Sequence, residues 1–246
     1  MCIFTSEIDF VSSTRIFSRI QENRQVVVYD MFLSSESDTA MVLPIPIDQE
    51  NRQSVEFVDL SDYPTFFGEL QDLFPKLRTR GIAAAAVGSP EYLEVEQVGA
   101  FEASFVPTQS DFKILDPRFQ LSMNILECLP QYHDYAFVVF KLRSGESQIH
   151  PMAFWFFTRE TNKLYYPTVH VHDGRVHENE EFNHVIYGQG KVVDHPGLNC
   201  TTKISGSAVL KNISSKSKGA ASDDSEVYRQ TLVGNLPNKD IWFDLY

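Results

Sequence analysis

Four of the seven histidines fall within residues 165–184, YYPTVHVHDGRVHENEEFNH. Asp173-Gly174 is a strong two-residue hairpin signal, because both residue types tolerate positive φ. A hairpin closing there sets His172 opposite Arg175, Val171 opposite Val176, and His170 opposite His177. Directly paired residues share a face of the sheet, so His170, His172, His177 and Arg175 project to one side and the valines to the other. Three imidazoles on one face can ligate Zn or another divalent transition metal, and an open fourth position would suit catalysis or ligand binding. His184 could add a further imidazole if the chain folds back. The competing reading is an ordinary half-exposed sheet with solvated histidines, and Arg175 on the same face opposes a cation.

Cys2 offers a second chemistry. Removal of the initiator Met leaves a thiol beside a free α-amine. That arrangement resembles N-terminal-nucleophile hydrolases, in which the thiol attacks an amide carbonyl and the amine serves as base. Arg19 stands on a strand-like segment where the bile-salt-hydrolase branch of that superfamily carries an arginine near its cysteine, so Cys2 and Arg19 are the candidate catalytic residues of an amidase-type alternative. Against it stands the simpler reading of Cys2 as a small buried residue at a strand start.

The elements that would position these residues read as mostly β. Residues 25–33 (QVVVYDMFL), 40–47 (AMVLPIPI), 135–142 (YAFVVFKL) and 152–157 (MAFWFF) are rich in β-branched and aromatic residues. Pro44 and Pro46 remove ladder donors and place that end on an edge. Serine-rich turns at 34–38 and 144–147 join the first and second strand of each pair, and third strands follow at 55–60 and 163–172. The repeated order suggests an internal duplication of residues 24–60 and 135–172. Between the copies, Phe66, Phe67, Leu70, Leu73, Phe74 and Leu77 recur at helical spacing, with Ser61 or Asp62 as cap, Pro64 in the first turn and Pro75 as terminator. Shorter helices are expected at 108–115 and 122–129. The expected class is α+β, β-dominated, with mostly antiparallel sheets from two related strand-turn-strand units and one main helix. Residues 1–210 form the body, 211–226 a flexible linker without apolar periodicity, and 227–246 a C-terminal segment that returns to dock on the body.

Composition limits the partners. The chain has 246 residues, 21 Lys+Arg against 33 Asp+Glu, and a formal net charge of −12. That excess of acid argues against nucleic acid, which needs a basic face, and against docking on anionic membranes. The 43% hydrophobic content, with 19 Phe and 10 Tyr, is enough for a large core. The three cysteines form no C-x-x-C pair, and no signal sequence is evident at the N-terminus; both point to a cytoplasmic protein.

Several strings carry a resemblance: the Met-Cys start, AMVLPIP at 40–46, VGAFEASFVPT at 98–108, LDPRF at 115–119 and YPTVHVHDG at 166–174. Together they resemble an uncharacterised bacterial protein family of similar length, covering most of the chain up to the expected linker. The resemblance implies a bacterial origin and a single evolutionary unit, and it carries no catalytic residues with it. The expected function is a binding or interaction protein for a small molecule or another protein, with the histidine segment as a possible metal site.

Overall fold

The computed structural model describes residues 3–51, 55–74, 96–98, 101–193 and 207–246. The strands, in chain order, are β1 (Ile3–Phe4), β2 (Phe10–Gln21), β3 (Arg24–Ser35), β4 (Thr39–Ile45), β5 (Val55–Asp59), β6 (Glu96–Val98), β7 (Phe101–Val106), β8 (Ala136–Leu142), β9 (Gly145–Gln148), β10 (Met152–Phe157), β11 (Lys163–Tyr166), β12 (Asn179–Gln189), β13 (Val227–Pro237) and β14 (Ile241–Asp244). The α-helices are α1 (Phe66–Asp72), α2 (Met123–Glu127) and α3 (Ala208–Lys216).

Two sheets carry the fold. One runs β1-β4-β8-β7-β6; the other runs β13-β12-β2-β3-β10-β5, with β9 also on β3, and β11 pairs with β14 in a small third sheet. Among the described residues, the strands named above pair antiparallel except for β12 with β2. The molecule is therefore β-dominated α+β, as its β-branched and aromatic runs imply.

β3 shows why the long Val-rich run is apolar on both sides. Val27, Tyr29, Met31 and Leu33 face the five-stranded sheet, while Val26 and Val28 face the helices. A strand covered on both faces loses the polar alternation of a half-exposed one. Phe140 meets Phe154 across the interface between the sheets. Phe137 meets Phe112 from the 3₁₀ turn Gln109–Ile114, which helps cover the outer side of the five-stranded sheet.

The turn at 34–38 is an arch between sheets: β3 lies in the seven-stranded sheet and β4 in the five-stranded one. β3 pairs with β10 and β4 with β8, so the first two strands of each repeated segment exchange partners. The third strands differ, since β5 pairs with β10 and β11 with β14. Pro44 pairs with Phe137 on one side, and on the other β1 reaches only Met41 and Val42.

Two expectations about helices change. The main helix begins at Phe66 with Thr65 as cap, later than Ser61 or Asp62 would give. Phe66, Phe67, Leu70, Leu73 and Phe74 are buried as the spacing predicts; Leu77 lies outside the described residues. The larger correction concerns 211–226. Instead of a linker, α3 runs through its first part, capped where the Leu210 N–H donates to Ser207 Oγ at 3.0 Å. Leu210 and Ile213, three apart, supply its buried stripe, and Ala220 and Ala221 pack into the same core. A face built from so few apolar side chains leaves little periodicity to read. The 227–246 segment supplies β13 and β14 to two different sheets.

Candidate functional site

The histidine stretch does not form the predicted hairpin. After β11 the chain is irregular, and Val171 alone makes a bridge, parallel to Ile3 of β1. Its backbone groups are taken elsewhere. Phe4 N–H donates to the Val171 carbonyl at 3.1 Å. Asn238 accepts from the His170 N–H at 2.7 Å and donates to the carbonyls of His170 and His177, each at 2.9 Å. Asp240 accepts from the N–H groups of Thr168 (2.9 Å) and Val169 (3.3 Å) and from the hydroxyls of Tyr132 (2.6 Å) and Tyr165 (3.0 Å). With its backbone clasped by the loop between β13 and β14, the segment has no ladder to offer a second strand. Asn238 and Asp240 sit in a stretch that reads from sequence as a plain turn, and only their partners reveal them as a clamp.

The imidazoles are accordingly redistributed. His170 and His184 are fully buried and His172 is half-buried. Their rings stack in a column: His172 to His170 at 5.3 Å and 15°, His170 to His184 at 5.1 Å and 17°. Phe182 packs 4.3 Å from His170, and Phe4 5.7 Å from His172. His177 stands apart, exposed, with Nε2 3.1 Å from Asp173. The three-histidine face of His170, His172 and His177 is thus corrected: the structure gathers His170, His172 and His184. Stacked rings hold their nitrogens in parallel planes, whereas a tetrahedral centre needs them convergent at about 2.0–2.1 Å from one point. Among the described residues, no group of three or more His, Cys, Asp and Glu is arranged to hold a metal ion.

Burial dominates the electrostatics of this column. It drives His170 and His184 far below the ordinary histidine range and His172 down to about 4. Among the described residues, neither ring nitrogen of His170, nor Nε2 of His172, has a hydrogen-bond partner. Burial thus favours the neutral form of all three rings at pH 7.

Cys2 lies outside the described residues. Arg19 is buried on the helix-bearing face of the seven-stranded sheet, whereas Ile3 belongs to the five-stranded sheet. Its guanidinium donates to the carbonyls of Ala220 (2.9 Å) and Gly219 (2.5 Å) and lies over the Trp155 ring. Arg19 is thus committed to the turn after α3, and its predicted pairing with Cys2 falls on a residue outside the described ones.

A second constellation, unread from sequence, lies on that same helix-bearing face. Register sets Arg229, Tyr187, Phe17 and Val28 side by side across four strands, and Thr231, Val185, Arg15 and Asp30 in the next row. The first row is roofed by α1 and the turn after it: Tyr187 packs near Phe67 and Phe74, and its hydroxyl donates to Gln71 Oε1 at 2.8 Å. Arg15 grips Asp30 at 2.8 and 2.5 Å. Burial pushes the Asp30 carboxyl up to about 7 against the pull of Arg15. Beyond this row the sheet face opens to solvent: Phe10 is 55% and Val233 65% exposed, with Val185 and Phe32 half-buried. The bulge in β2 between Ser12 and Arg15, with Ser13 at φ +52°, keeps Phe10 and Arg15 on this one face. Elsewhere, a cleft of about 410 Å³ is lined by Lys191, Asp224, Glu226, Tyr228 and Tyr246 among others.

Fold and site together define a two-sheet, β-dominated α+β protein with a clasped aromatic–histidine column inside and an open sheet face outside. No family model matches the chain. Among solved structures it is similar to the crystal structure of baculovirus P35, at 16% identity, with 99% of each chain covered and a TM-score of 0.52. At that identity the likeness concerns the fold alone. No helix among the described residues is long and apolar enough to cross a membrane.

Proposed function

We propose that this is a protein-binding protein that seats a partner on the open part of the helix-bearing face of its seven-stranded sheet. The carrying observation is the pair Phe10 and Val233, apolar side chains standing 55% and 65% exposed on one sheet face that α1 and α3 leave uncovered. Large apolar side chains gathered on an uncovered face mark interaction sites. The favoured occupant is another protein, since a net charge of −12 on each copy opposes self-association. A reducing, cytoplasmic setting belongs to the same proposal and agrees with the exposed free thiol of Cys128.

A photo-crosslinking residue placed at Val233 tests the reading, with exposed Glu50 as control site. The expected result is one heterologous adduct at 233, absent at 50 and lost in Phe10→Asp, whose protein component binds the purified chain. The same adducts at both sites, or adducts of the chain with itself alone, would overturn it.

A further inference from the structure

The open part of the sheet face is apolar at its centre and acidic at its margins. Phe10 of β2 and Val233 of β13 stand 55% and 65% exposed. Register places a carboxylate near each. Phe10 pairs with Ser34 of β3, and Ser34 with Glu146 of β9. Glu146 therefore lies in the row of Phe10, two strands and about 10 Å away. Asp9 precedes Phe10, and its carboxylate accepts from the Ser34 hydroxyl at 3.5 Å. On the other side, Glu181 of β12 pairs with Asn235 and Asn183 with Val233. Glu181 is thus the diagonal neighbour of Val233, about 7–8 Å off. Asp9, Glu146 and Glu181 are all exposed.

No positive charge balances these acids. Arg15, the cation that borders the open part, is held by both oxygens of Asp30. Beyond that row the other outward strand positions are neutral, as at Phe32, Gln148, Asn183 and Asn235. No ion pair among the described residues includes Glu146 or Glu181.

The sign of these margins discriminates among occupants. A second copy of this chain would bring acids against acids, as would any acidic partner. A neutral partner covering Phe10 and Val233 would take water from nearby carboxylates and return no hydrogen bond to them. A basic margin instead pairs with them and speeds the encounter through long-range attraction.

We propose that the partner seated on this face is a protein whose contact surface is apolar at its centre and flanked by Lys or Arg side chains, which meet Glu146 on one side and Glu181 on the other. This rests on the docking reading above and adds the chemistry that selects the partner. The apolar contact with Phe10 and Val233 holds the complex, and the two carboxylates choose the charge of what is held.

The test uses a capped nine-residue peptide with a Leu-Phe-Leu centre and Lys on both flanks, and its counterpart with Gln in place of Lys. Binding is followed on the amide NMR signals of Phe10 and Val233. The Lys peptide is expected to bind about fivefold tighter than the Gln peptide, the scale of two exposed ion pairs. The preference is expected to shrink in 1 M salt, where the screening length is about 3 Å. It is expected to vanish in the double variant Glu146→Gln, Glu181→Gln. It is expected to survive in Glu22→Gln, Glu127→Gln, which has the same net charge but changes exposed acids away from this face. An equal response to the two peptides, a preference that persists without Glu146 and Glu181, or its equal loss in both double variants would each overturn the assignment. Crosslinking at Val233 separates this from the docking reading. An undiminished heterologous adduct in Glu146→Gln, Glu181→Gln would sink this inference alone, while the absence of that adduct in the parent chain would sink the docking reading.

Discussion

His170 shows how one residue type takes opposite roles with burial. On a solvated hairpin it would titrate near pH 6.5 and offer two nitrogens. Stacked between His172 and His184 it is neutral and behaves as a flat apolar ring. Its folded pKa lies below the unfolded one, so the folded state binds fewer protons below about pH 6.5. Stability conferred by this group therefore falls as pH drops below about 6.5, by roughly 1.4 kcal/mol per pH unit for each such imidazole. His184 acts in the same sense, and His172 does so until about pH 4. Asp30 opposes them: its folded pKa of about 7 is raised, so its contribution falls as pH rises from about 4 to 7. Comparing variants removes such shared terms. His170→Phe, matched to the neighbouring Phe182, is expected to keep the fold and bind about one proton fewer on unfolding between pH 6 and 4. Urea titrations across that range would show a flatter pH dependence; an unchanged slope would refute the assignment.

At the scale of elements, α3 is the clearest case of structure made by context. Nine residues of mostly polar sequence are too short to hold a helix alone, and tertiary contacts supply what propensity lacks. Ile213 and Leu210 pack into the core with Phe66 and Phe67, and Asn212 and Lys216 reach Glu69 of α1 at 2.9 and 3.1 Å. Ile213→Ala is expected to cost about 2–4 kcal/mol, with Ser215→Ala within about 0.5 kcal/mol. Equal effects in denaturant unfolding would show that α3 is not held by this stripe. β12 carries a second contextual constraint. A Cβ at Gly188 would come 2.7 Å from the Tyr166 hydroxyl, which itself donates to the Tyr187 carbonyl at 3.1 Å. Glycine there allows β11 and β12 to approach at the base of the histidine segment.

For the whole molecule, the C-terminal residues tie the separate parts together. β13 extends the seven-stranded sheet, β14 completes the small sheet with β11, and Asn238 and Asp240 between them hold the histidine segment. A chain ending at Glu226 would lose all three connections at once. It is expected to show no cooperative thermal transition by near-UV circular dichroism. A sharp transition close to that of the full chain would mean that the two main sheets are stable without this closure.

The sequence alone determined that the protein is β-rich and which runs form its core. Residues 25–33, 135–142 and 152–157 are apolar over most successive positions, as burial on both faces favours. It also located α1, because Phe66, Phe67 and Leu70 repeat at the helical period. It did not determine which strands share a sheet: the serine turn at 34–38 is compatible with a hairpin or with the arch that forms. Nor did it determine the candidate sites. The Asp173-Gly174 signal is local, and it yielded to Asn238 and Asp240, which take the backbone groups a hairpin would use. Arg229 has no distinctive sequence neighbourhood. Its place beneath the Phe74 ring arises only when β13 pairs with β12 and the turn after α1 closes over the sheet. Local periodicity records burial, but the pairing of charges and hydrogen bonds between distant segments is settled only when tertiary packing has excluded the solvent.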